Sequence, residues 1–555
     1  MIMIRPVALP IVYLLSAAIA AQNPLAIPPA LDQDTFELVV DEHVVEFYAG
    51  VSTNTYGASA PYLGPTLILH RGDTAHFRVV NQLADQVTSM HWHGMHVPGE
   101  MDGGPPREVA PGETWPVKYL VKNPAGTYWY HPHPHELTAE QANQGVAGMI
   151  IVQDPDEAAL PLPRTYGVDD IPVVVQDRRF NANGQFIFGP FGDSVLVNGT
   201  AHPYVELPAQ VVRLRLLNGS NARIYQFGFE DDREFSLIAN DGGLLEEPVP
   251  LDRLRLSNGE RSEVLVDLTG MAGDSLLLMS YATELTPSMP GSSYILWESS
   301  ALSGIDFPVL RIRVTAPTQE PVTMVPSSLI PLDLPEPGDV SRERLKSFSG
   351  NGMVGMGMFF INGLMFDMEV VNDTVLQGAT EEWTVMNGSN MAHPFHVHGV
   401  SFQVVDRDGQ APHPWELGWK DVVLVDVEEA VTLRMRFNEI TNGWPFMYHC
   451  HNLLHEDNMM MLQYIVVDPS TQVVEPTNAD PPHVYPSPTS GPFTFRSGFA
   501  VQEAELTDMS GRTVLYQALN GRFQGELDVH VLPPGSYVLR LVGVDRSTRG
   551  IVVRD

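Results

Sequence analysis

The sequence predicts an all-β protein built from several domains. Its 555 residues exceed what one hydrophobic core can organise, and they suggest three or four domains. From Phe36 onward, short runs that mix β-branched and aromatic residues with polar alternation are separated by turn-forming residues, which is a strand pattern. Long amphipathic helical patterns are scarce, and residues 136–144 are one short candidate helix. The 46 glycines and 46 prolines fit a loop-rich β protein.

Residues 1–21 are predicted to be a signal peptide. Arg5 precedes an apolar run at about 7–19, and small residues at its end offer a cleavage site after Ala20 or Ala21. This run is too short to cross a bilayer, and no later stretch is apolar enough to do so. We therefore expect an exported protein whose mature form has no transmembrane segment. The formal charge of −35 argues against a nucleic acid partner.

Three β-rich units follow one another and behave as repeats. They are expected at 35–154, at 164–317 and, after a Pro-rich linker, at 338–468. The motif Asn-Gly-Ser-Asn closes a candidate strand in both the second and the third unit. Alignment from that motif places His393, His396 and His398 of the third unit opposite Ile224, Phe227 and Phe229 of the second. The second unit is therefore predicted to keep the scaffold without metal ligands.

The sole cysteine, Cys450, lies between two histidines near the end of the third unit. It cannot form an intramolecular disulfide, so metal ligation is its natural role in an exported protein. His455 and Met460 follow it in the same loop, and a thiolate, an imidazole and a thioether are ligands of a mononuclear blue-copper site. On a strand, His449 and His451 would project from the face opposite to Cys450. The predicted chemistry is electron transfer from a thiolate-bound copper to a second metal centre.

Four His-x-His pairs supply imidazoles for that second centre. The first unit has two pairs and the third unit has two, namely His91 with His93, His131 with His133, His396 with His398, and His449 with His451. One such pair is usually structural, but four pairs at matching places of two repeats favour a metal cluster between the units. Imidazole suits copper and zinc, and the thiolate–histidine–methionine loop favours copper. The other histidines, such as His96 and His135, are expected to have surface or core roles.

These motifs resemble those of three-domain multicopper oxidases of the bacterial laccase and copper-efflux oxidase type. The resemblance covers about 35–468 and is carried by His91-Trp-His-Gly94, Tyr130-His-Pro-His133, His393-Pro-Phe-His-Val-His-Gly399 and the segment from His449 to Met460. It implies three cupredoxin-like Greek-key β-sandwich domains and about four coppers per chain. By motif position, the type 1 copper would be bound by His393, Cys450, His455 and Met460. The type 2 copper would be bound by His91 and His396, and the type 3 pair by His93, His131, His133, His398, His449 and His451.

The resemblance also implies a mechanism. A reducing substrate would give single electrons to the type 1 copper through the edge of His455 or His393, and Cys450 would pass them to the cluster, where dioxygen is reduced to water. Asp102 and Glu456 stand at positions that match the family's proton-relay acids. The alternative is that both acids only orient ligand imidazoles. Asp421 is expected to hydrogen-bond a type 1 histidine.

The substrate is less strongly indicated. We expect a laccase-like monomer that oxidises phenols, diphenols and aromatic amines with dioxygen as acceptor. The alternative is oxidation of cuprous or other metal ions in copper tolerance, in which Met353, Met356 and Met358 could bind Cu(I) rather than pack a Gly-rich linker. A further alternative is a copper-binding or electron-carrier protein without turnover, and the complete set of cluster ligands counts against it.

The C-terminal part of the chain predicts a separate small β-sandwich. A linker rich in Pro, Ser and Thr is expected at 469–492, and the small domain at 493–555. Its ordered strand and turn motifs resemble the C-terminal sorting domain of proteins that Bacteroidetes-type bacteria secrete by the type IX route. That resemblance implies contact with secretion machinery, transit through the periplasm and a final location outside the cell or on its surface. The alternative is a binding appendage that stays on the mature enzyme.

Overall fold

Strands dominate the computed structural model, which describes residues 22–293, 300–353, 356–469, 482–508, 512–543 and 547–554. The all-β fold class is therefore confirmed. The predicted signal peptide and part of the predicted linker lie outside the described residues. The chain divides into two compact units, 1–467 and 468–555. Within the described ranges, no helix has the length and hydropathy needed to span a bilayer.

The first sandwich pairs a four-stranded sheet with a five-stranded sheet. In spatial order, the four-stranded sheet contains Val51–Ala58, Thr35–Tyr48, Thr74–Asn81 and Thr114–Leu120. The five-stranded sheet contains Ala30–Asp32, Thr66–His70, Gly148–Gln153, Gly126–His131 and His91–His93. Alternate residues of both sheets meet in one core, where the rings of Phe77 and Trp92 lie 4.3 Å apart. Because Trp92 points into this core, its neighbours His91 and His93 point away from it.

The second sandwich has an eight-stranded sheet and a six-stranded sheet. The larger sheet contains Thr200–Ala201, Ser194–Val197, Asp170–Phe180, Val211–Asn218, Arg261–Asp267, Phe235–Asn240 and Gly243–Leu251, with Phe186–Ile187 paired to Asp170–Phe180. The smaller sheet contains Asn23–Pro24, Pro203–Pro208, Phe307–Thr315, Ser275–Ser280, Tyr225–Phe229 and Leu254–Leu256. Ile224, Phe227 and Phe229 are buried in its core, as apolar replacements of metal ligands should be.

The third sandwich has two five-stranded sheets. One contains Met356–Ile361, Val340–Met353, Thr380–Asn387, Ala430–Arg436 and Phe402–Arg407. The other contains Asp373–Leu376, Met461–Val467, Phe446–Cys450, His393–Val397 and Val422–Val425. Its core includes Trp383, Tyr448 and Cys450. The strands that carry the predicted ligands are therefore neighbours in one sheet.

An asparagine closes the same turn in each of the three sandwiches. In the second sandwich, the Asn218 side-chain amide donates to two backbone carbonyls, and its Oδ1 accepts from the N–H two residues later. Asn81 and Asn387 make the same three kinds of hydrogen bond. Because each buried amide satisfies three backbone groups of its turn, the repeat survives in the sandwich without copper ligands.

The helices are short and lie in connections. They are Thr138–Gln144, Pro155–Ala158 and Leu453–Asp457, with single 3₁₀ turns at Gly99–Met101, Ala282–Glu284, Pro337–Asp339 and Pro414–Glu416. The first of these confirms the helix predicted at 136–144. Leu453–Asp457 begins after Asn452, whose side chain accepts a hydrogen bond from Leu454 N–H. This cap fixes the start of the helix that carries His455.

The C-terminal unit folds around a core of its own. Its sheet contains, in order, His483–Tyr485, Pro492–Asp508, Gly535–Val542 and Ser547–Arg554, with Thr513–Asp528 paired to Pro492–Asp508. Register shifts bend the two longest strands, so that residues from both ends of a strand reach the same core. The first of its strands, His483–Tyr485, lies within the segment predicted as linker.

Candidate metal centre

The strand Phe446–Cys450 separates two environments. Phe446, Tyr448 and Cys450 lie in the core of the third sandwich, because alternate residues of a strand project to the same side. His449 projects to the opposite side, where its ring meets those of His133 and His398. The structure thus shows the alternation that the sequence predicts around the cysteine.

Cys450 forms a compact buried group with two histidines. Its Sγ lies 3.3 Å from Nδ1 of His393 and 3.6 Å from Nδ1 of His455, and the two Nδ1 atoms are 3.3 Å apart. Met460 is buried beside them, because its carbonyl accepts from Cys450 N–H and its N–H donates to the His455 carbonyl. The four predicted type 1 residues are therefore together in the structure.

The electrostatics of this group suit a metal cation. Burial raises the pKa of the Cys450 thiol, because a thiolate is costly in an apolar environment without a nearby positive charge. Burial, together with the facing His455 ring, lowers the pKa of His393 well below its usual range. Neutral imidazoles and a thiol that needs a cation in order to ionise are a donor set for a soft metal, and copper fits it.

Phe359 covers the two imidazoles of this group. Its ring centroid lies 4.9 Å from that of His393 and 4.4 Å from that of His455, and its side chain is 1% exposed. The strand Met356–Ile361, which carries it, is the edge strand of its sheet. Nothing in the sequence pattern predicted this cover, because Phe359 lies nearly a hundred residues before His455.

Six of the eight paired histidines converge as two triplets. In the first triplet, His93 Nδ1 lies 3.3 Å from His131 Nε2 and 3.2 Å from His451 Nε2. In the second, His449 Nε2 lies 3.1 Å from Nε2 of His398 and 3.4 Å from Nε2 of His133. Three ring nitrogens cannot satisfy one another by hydrogen bonds alone at this spacing. A metal ion with metal–nitrogen distances of about 2.0–2.1 Å fits among them.

The remaining two histidines, His91 and His396, also have nitrogens directed into the cluster. Nε2 of each is buried without a hydrogen-bond partner among the described residues. The His91 ring stacks on His398 and the His396 ring on His93, each with centroids 3.8 Å apart. A buried imidazole nitrogen with no partner is costly unless a ligand takes its lone pair, so these two atoms fit a third metal position.

Backbone carbonyls fix the tautomer of four of these rings. Nδ1 of His91 lies 2.9 Å from the Asp102 carbonyl, and Nδ1 of His396 lies 2.7 Å from the Asp421 carbonyl. Nδ1 of His131 and of His449 likewise face carbonyls of Pro132 and Cys450. Because a carbonyl only accepts, each Nδ1 carries the proton, and each Nε2 keeps a lone pair for a metal.

Burial keeps all eight imidazoles neutral. It lowers the pKa of His131 to about 3 and of His449 to about 4, and it lowers the pKa of the other six well below the usual range, with the neighbouring rings adding to the effect. Neutral imidazole is the form that binds metals. At neutral pH each imidazole of the cluster therefore keeps an unprotonated nitrogen that can bind a metal.

Two buried acids contact the cluster at the predicted positions. Oδ2 of Asp102 lies 2.7 Å from Nδ1 of His398. Oε1 of Glu456 lies 3.2 Å from Nδ1 of His133, and its Oε2 lies 3.4 Å from Nδ1 of His449. Burial raises the pKa of both carboxyl groups. Together the two acids thus contact all three histidines of the second triplet.

The prediction for Asp421 is wrong. Its Oδ1 lies 3.1 Å from Nε2 of His93, a cluster histidine, and not beside a type 1 histidine. The type 1 candidate His393 instead has Ser389 Oγ 2.8 Å from its Nε2. The Asp421 carboxylate reaches a histidine of the first sandwich, a contact that no motif of the sequence indicates. Of the other histidines, His96 contacts Ser401 and His135 packs near Phe366, so neither joins the cluster.

Comparison with known families agrees with this geometry. Models of the multicopper oxidase family match residues 40–157 and 331–470. A model of the secretion system C-terminal sorting domain matches residues 483–554, which confirms the resemblance of the C-terminal unit.

Relatives of the chain match most of the unit 1–467. Multicopper oxidase mco of Staphylococcus aureus is 32% identical over 459 residues, which cover 80% of this chain and 92% of that protein. Cell division protein FtsP of Xenorhabdus nematophila is 34% identical over 457 residues, with 80% and 92% covered. The solved structure of the laccase-like multicopper oxidase CueO from the lignin-degrading bacterium Ochrobactrum sp., described as active towards lignin model compounds and lignosulfonate, is 34% identical, with a TM-score of 0.71 and coverage of 80% of this chain and 100% of that one. With its cysteine site, its histidine triplets and these matches, the chain belongs to the multicopper oxidase family.

Proposed function

We propose that the chain is a laccase-like oxidase that holds about four coppers. His393, Cys450, His455 and Met460 would hold a type 1 copper, and His91 and His396 a type 2 copper. One type 3 copper would be held by His93, His131 and His451, and the other by His133, His398 and His449. Copper bound there would supply one-electron oxidation of a donor and the reduction of dioxygen to water. The observation that carries the proposal is the placement of Cys450 and the His449–His451 pair on opposite sides of one strand.

The protein supplies a short covalent connection between the two centres. Cys450 is bonded through the backbone to His449 and to His451, and each of these histidines belongs to a different triplet. Cys450 is the last residue of the strand Phe446–Cys450, so the backbone and not a flexible side chain fixes how far it lies from His449 and His451. Cys450 therefore acts as the electron-transfer residue.

Asp102 and Glu456 are placed to move protons. Asp102 Oδ2 faces the Nδ1–H of His398, and Glu456 lies between the Nδ1 atoms of His133 and His449. Oδ1 of Asp102 and both carboxylate oxygens of Glu456 have no hydrogen-bond partner of good geometry among the described residues. The Asp102 carboxyl group has one oxygen on a ligand imidazole, and the Glu456 carboxyl group has an oxygen near each of two, so each can hold a proton beside the cluster.

The cover of Phe359 shapes how a donor approaches. Because His393, His455 and Phe359 are all buried, a phenol or aromatic amine would give its electron across the surrounding protein and not by direct contact with either imidazole. Electron transfer that needs no direct contact with the copper ligands tolerates donors of varied shape. This supports broad use of aromatic reductants, in line with the lignin-model activity described for the Ochrobactrum relative.

Oxidation of cuprous or other metal ions is the second candidate, and exposed methionines favour it. Met358, Met365 and Met368 are 56%, 44% and 39% exposed. The segment of the last two is tied to the type 1 loop, because Phe366 N–H donates to the Met459 carbonyl. Thioethers are ligands for Cu(I), so a soft metal ion has contact points near the type 1 site.

The sorting domain supports a location outside the cell. We propose cupredoxin domains at 35–154, 164–317 and 338–468, and a C-terminal domain that directs a monomeric enzyme through the periplasm to the surface or the medium. The name of the FtsP relatives points instead to a role in cell division. Copper loading with turnover would distinguish an oxidase from a protein that only binds a partner.

The test uses Cys450→Ser in copper-loaded protein. Wild type should be blue, bind about four coppers per chain and consume dioxygen with a phenol. The variant should lose the blue absorption and turnover while it keeps the coppers of the cluster, because serine removes only the thiolate. A colourless wild type with full copper would contradict the role of Cys450, and a blue protein that consumes no dioxygen would contradict the oxidase.

A further inference from the structure

Two aspartates hold the histidine cluster in matching ways. Asp102 belongs to the first sandwich. Its backbone carbonyl accepts a hydrogen bond from Nδ1 of His91, in the same sandwich, at 2.9 Å. Its carboxylate reaches the third sandwich, where Oδ2 lies 2.7 Å from His398 Nδ1. One residue thus orients a type 2 candidate and a type 3 candidate from different sandwiches.

Asp421 repeats this arrangement from the opposite direction. Its carbonyl lies 2.7 Å from Nδ1 of His396 in its own sandwich, and its Oδ1 lies 3.1 Å from Nε2 of His93 in the first sandwich. The cluster therefore has an approximate two-fold relation in its supporting hydrogen bonds. The carboxylates of Asp102 and Asp421 break this symmetry, because their remaining partners differ.

Arg261, from the second sandwich, engages only one of the two. Its Nη1 donates to Oδ1 of Asp421 at 2.6 Å and its Nη2 to Oδ2 at 2.7 Å, and both side chains are 0% exposed. Among the described residues, Asp102 has ion-pair contacts with histidines alone, and its Oδ1 has no hydrogen-bond partner. A forked guanidinium holds a carboxylate in its ionised form and in one orientation.

The backbone around the cluster is built for this close approach. Gly94 follows His93 with φ of 82°, and a Cβ there would lie 2.4 Å from Asp421 Oδ2 and 2.6 Å from Arg261 Nη2. Gly259, two residues before Arg261, has φ of 83°, and a Cβ there would lie 2.9 Å from the His451 ring. The second sandwich therefore closely approaches His451 of the first triplet, and its Arg261 closely approaches the residue after His93.

A second ion-pair group lies beside the pair of Arg261 and Asp421. Lys420 Nζ lies 2.9 Å from Asp241 and 2.9 Å from Glu260, and Asp241 accepts from Arg261 N–H at 2.7 Å. The three buried carboxylates, including Asp421, outnumber the two cations. An excess of negative charge beside a group of metal cations is electrostatically favourable.

We propose that Arg261 is a positioning residue for His93. It holds Asp421 as a fixed anion, and this anion accepts the Nε2–H of His93, so that His93 Nδ1 faces His131 and His451. His93 is then the one member of its triplet that presents Nδ1 rather than Nε2. The sandwich without copper ligands would thereby help to complete one type 3 site, and this inference rests on the proposed function.

The test compares variants that remove the Arg261 guanidinium, its positive charge or the charge of the Asp421 carboxylate. Arg261→Met removes the cation, Arg261→Lys restores a charge without the fork, and Asp421→Asn removes the acceptor charge. The double variant Arg261→Met with Asp421→Asn removes both charges of the fork together, so Asp421 is not left as an anion without its guanidinium, and the variant serves if Arg261→Met fails to fold. Arg407→Met is the control, because Arg407 forms an equally buried fork with Glu416 and contacts none of the eight histidines in the described structure.

The measurements are copper affinity, the fraction of bound copper visible by electron paramagnetic resonance, and the blue absorption. A magnetically coupled type 3 copper pair gives no signal in electron paramagnetic resonance spectra. We expect Arg261→Met, Asp421→Asn and the double variant to bind cluster copper about 10- to 100-fold more weakly and to show a larger visible fraction, with the blue absorption unchanged. Arg261→Lys should recover part of the affinity, and Arg407→Met should match wild type in both copper measurements.

The outcomes separate this inference from the proposed function. Wild-type copper affinity and a silent pair in Asp421→Asn and in the double variant would overturn the positioning role alone. A loss equal to that of Arg407→Met would also overturn it, because that loss would reflect general destabilisation. A wild-type protein that binds no copper would overturn the proposed function and the positioning role together.

Discussion

Phe227 and His396 occupy matching places of two repeats, so replacing each by alanine should have opposite consequences. Phe227 is fully buried in the core of the second sandwich, where its ring stacks on Tyr225 with centroids 5.4 Å apart. Truncation of a buried phenylalanine removes its packing and leaves a cavity, which costs about 3–5 kcal/mol. The copper content should stay at the wild-type level, because the core around Phe227, as far as the structure describes it, includes none of the eight cluster histidines.

His396→Ala should destabilise the copper-free protein less. The imidazole is neutral, its Nε2 has no partner in the described structure, and the side chain makes one hydrogen bond, to the Asp421 carbonyl. Loss of that hydrogen bond leaves the Asp421 carbonyl with a longer bond from Val397 N–H, at 3.4 Å, and should cost about 0.5–1.5 kcal/mol. The copper-loaded protein should lose its type 2 copper.

Urea titration of the copper-free proteins and metal analysis of the loaded proteins measure the two effects. The free energy of unfolding should fall further for Phe227→Ala, and copper per chain should fall only for His396→Ala. A loss of copper in Phe227→Ala, or a larger destabilisation of the copper-free protein by His396→Ala, would refute the assignment of the second sandwich as a scaffold without metal.

Two other predictions concern substrate and export. Replacing Met353, Met356 and Met358 by serine should leave phenol turnover within about twofold, a barrier change below about 0.5 kcal/mol. Strong activation of wild type by added Cu(II), lost in this triple variant, would instead favour metal-ion oxidation. Deleting residues 468–555 should leave copper binding and turnover intact, since the two compact units have separate cores, and should retain the enzyme inside the native cell. Appearance of the truncated enzyme in the medium at the wild-type level would contradict the sorting role.

The ligands could be predicted from the sequence because their spacing is local. His-x-His on a strand places both imidazoles on one side, and the loop after Cys450 brings His455 and Met460 back to the thiol, whatever the rest of the fold does. Comparison of the repeats also predicts which unit lacks metal, because Phe227 of the second unit occupies the place that His396 has in the third. The fold class followed from the same strand patterns.

The supporting contacts could not be predicted, because they join residues far apart in the chain. Asp421 and His93 lie in different sandwiches, and Arg261 lies in a third, so no spacing or motif relates them. Asp421 was assigned to a type 1 histidine for this reason. The cover of Phe359 over His455 was missed on the same ground, since it depends on where an edge strand of another sheet lies.

The turns closed by asparagine in the three sandwiches indicate whether folding has to wait for metal binding. Asn81, Asn218 and Asn387 complete their hydrogen bonds with backbone groups of their own sandwiches, so no metal is needed to close any of the three. The scaffold can therefore finish folding before copper arrives, and the metal enters a site whose walls already exist. For the exported enzyme proposed above, this ordering would separate the place of synthesis from the place of metal loading.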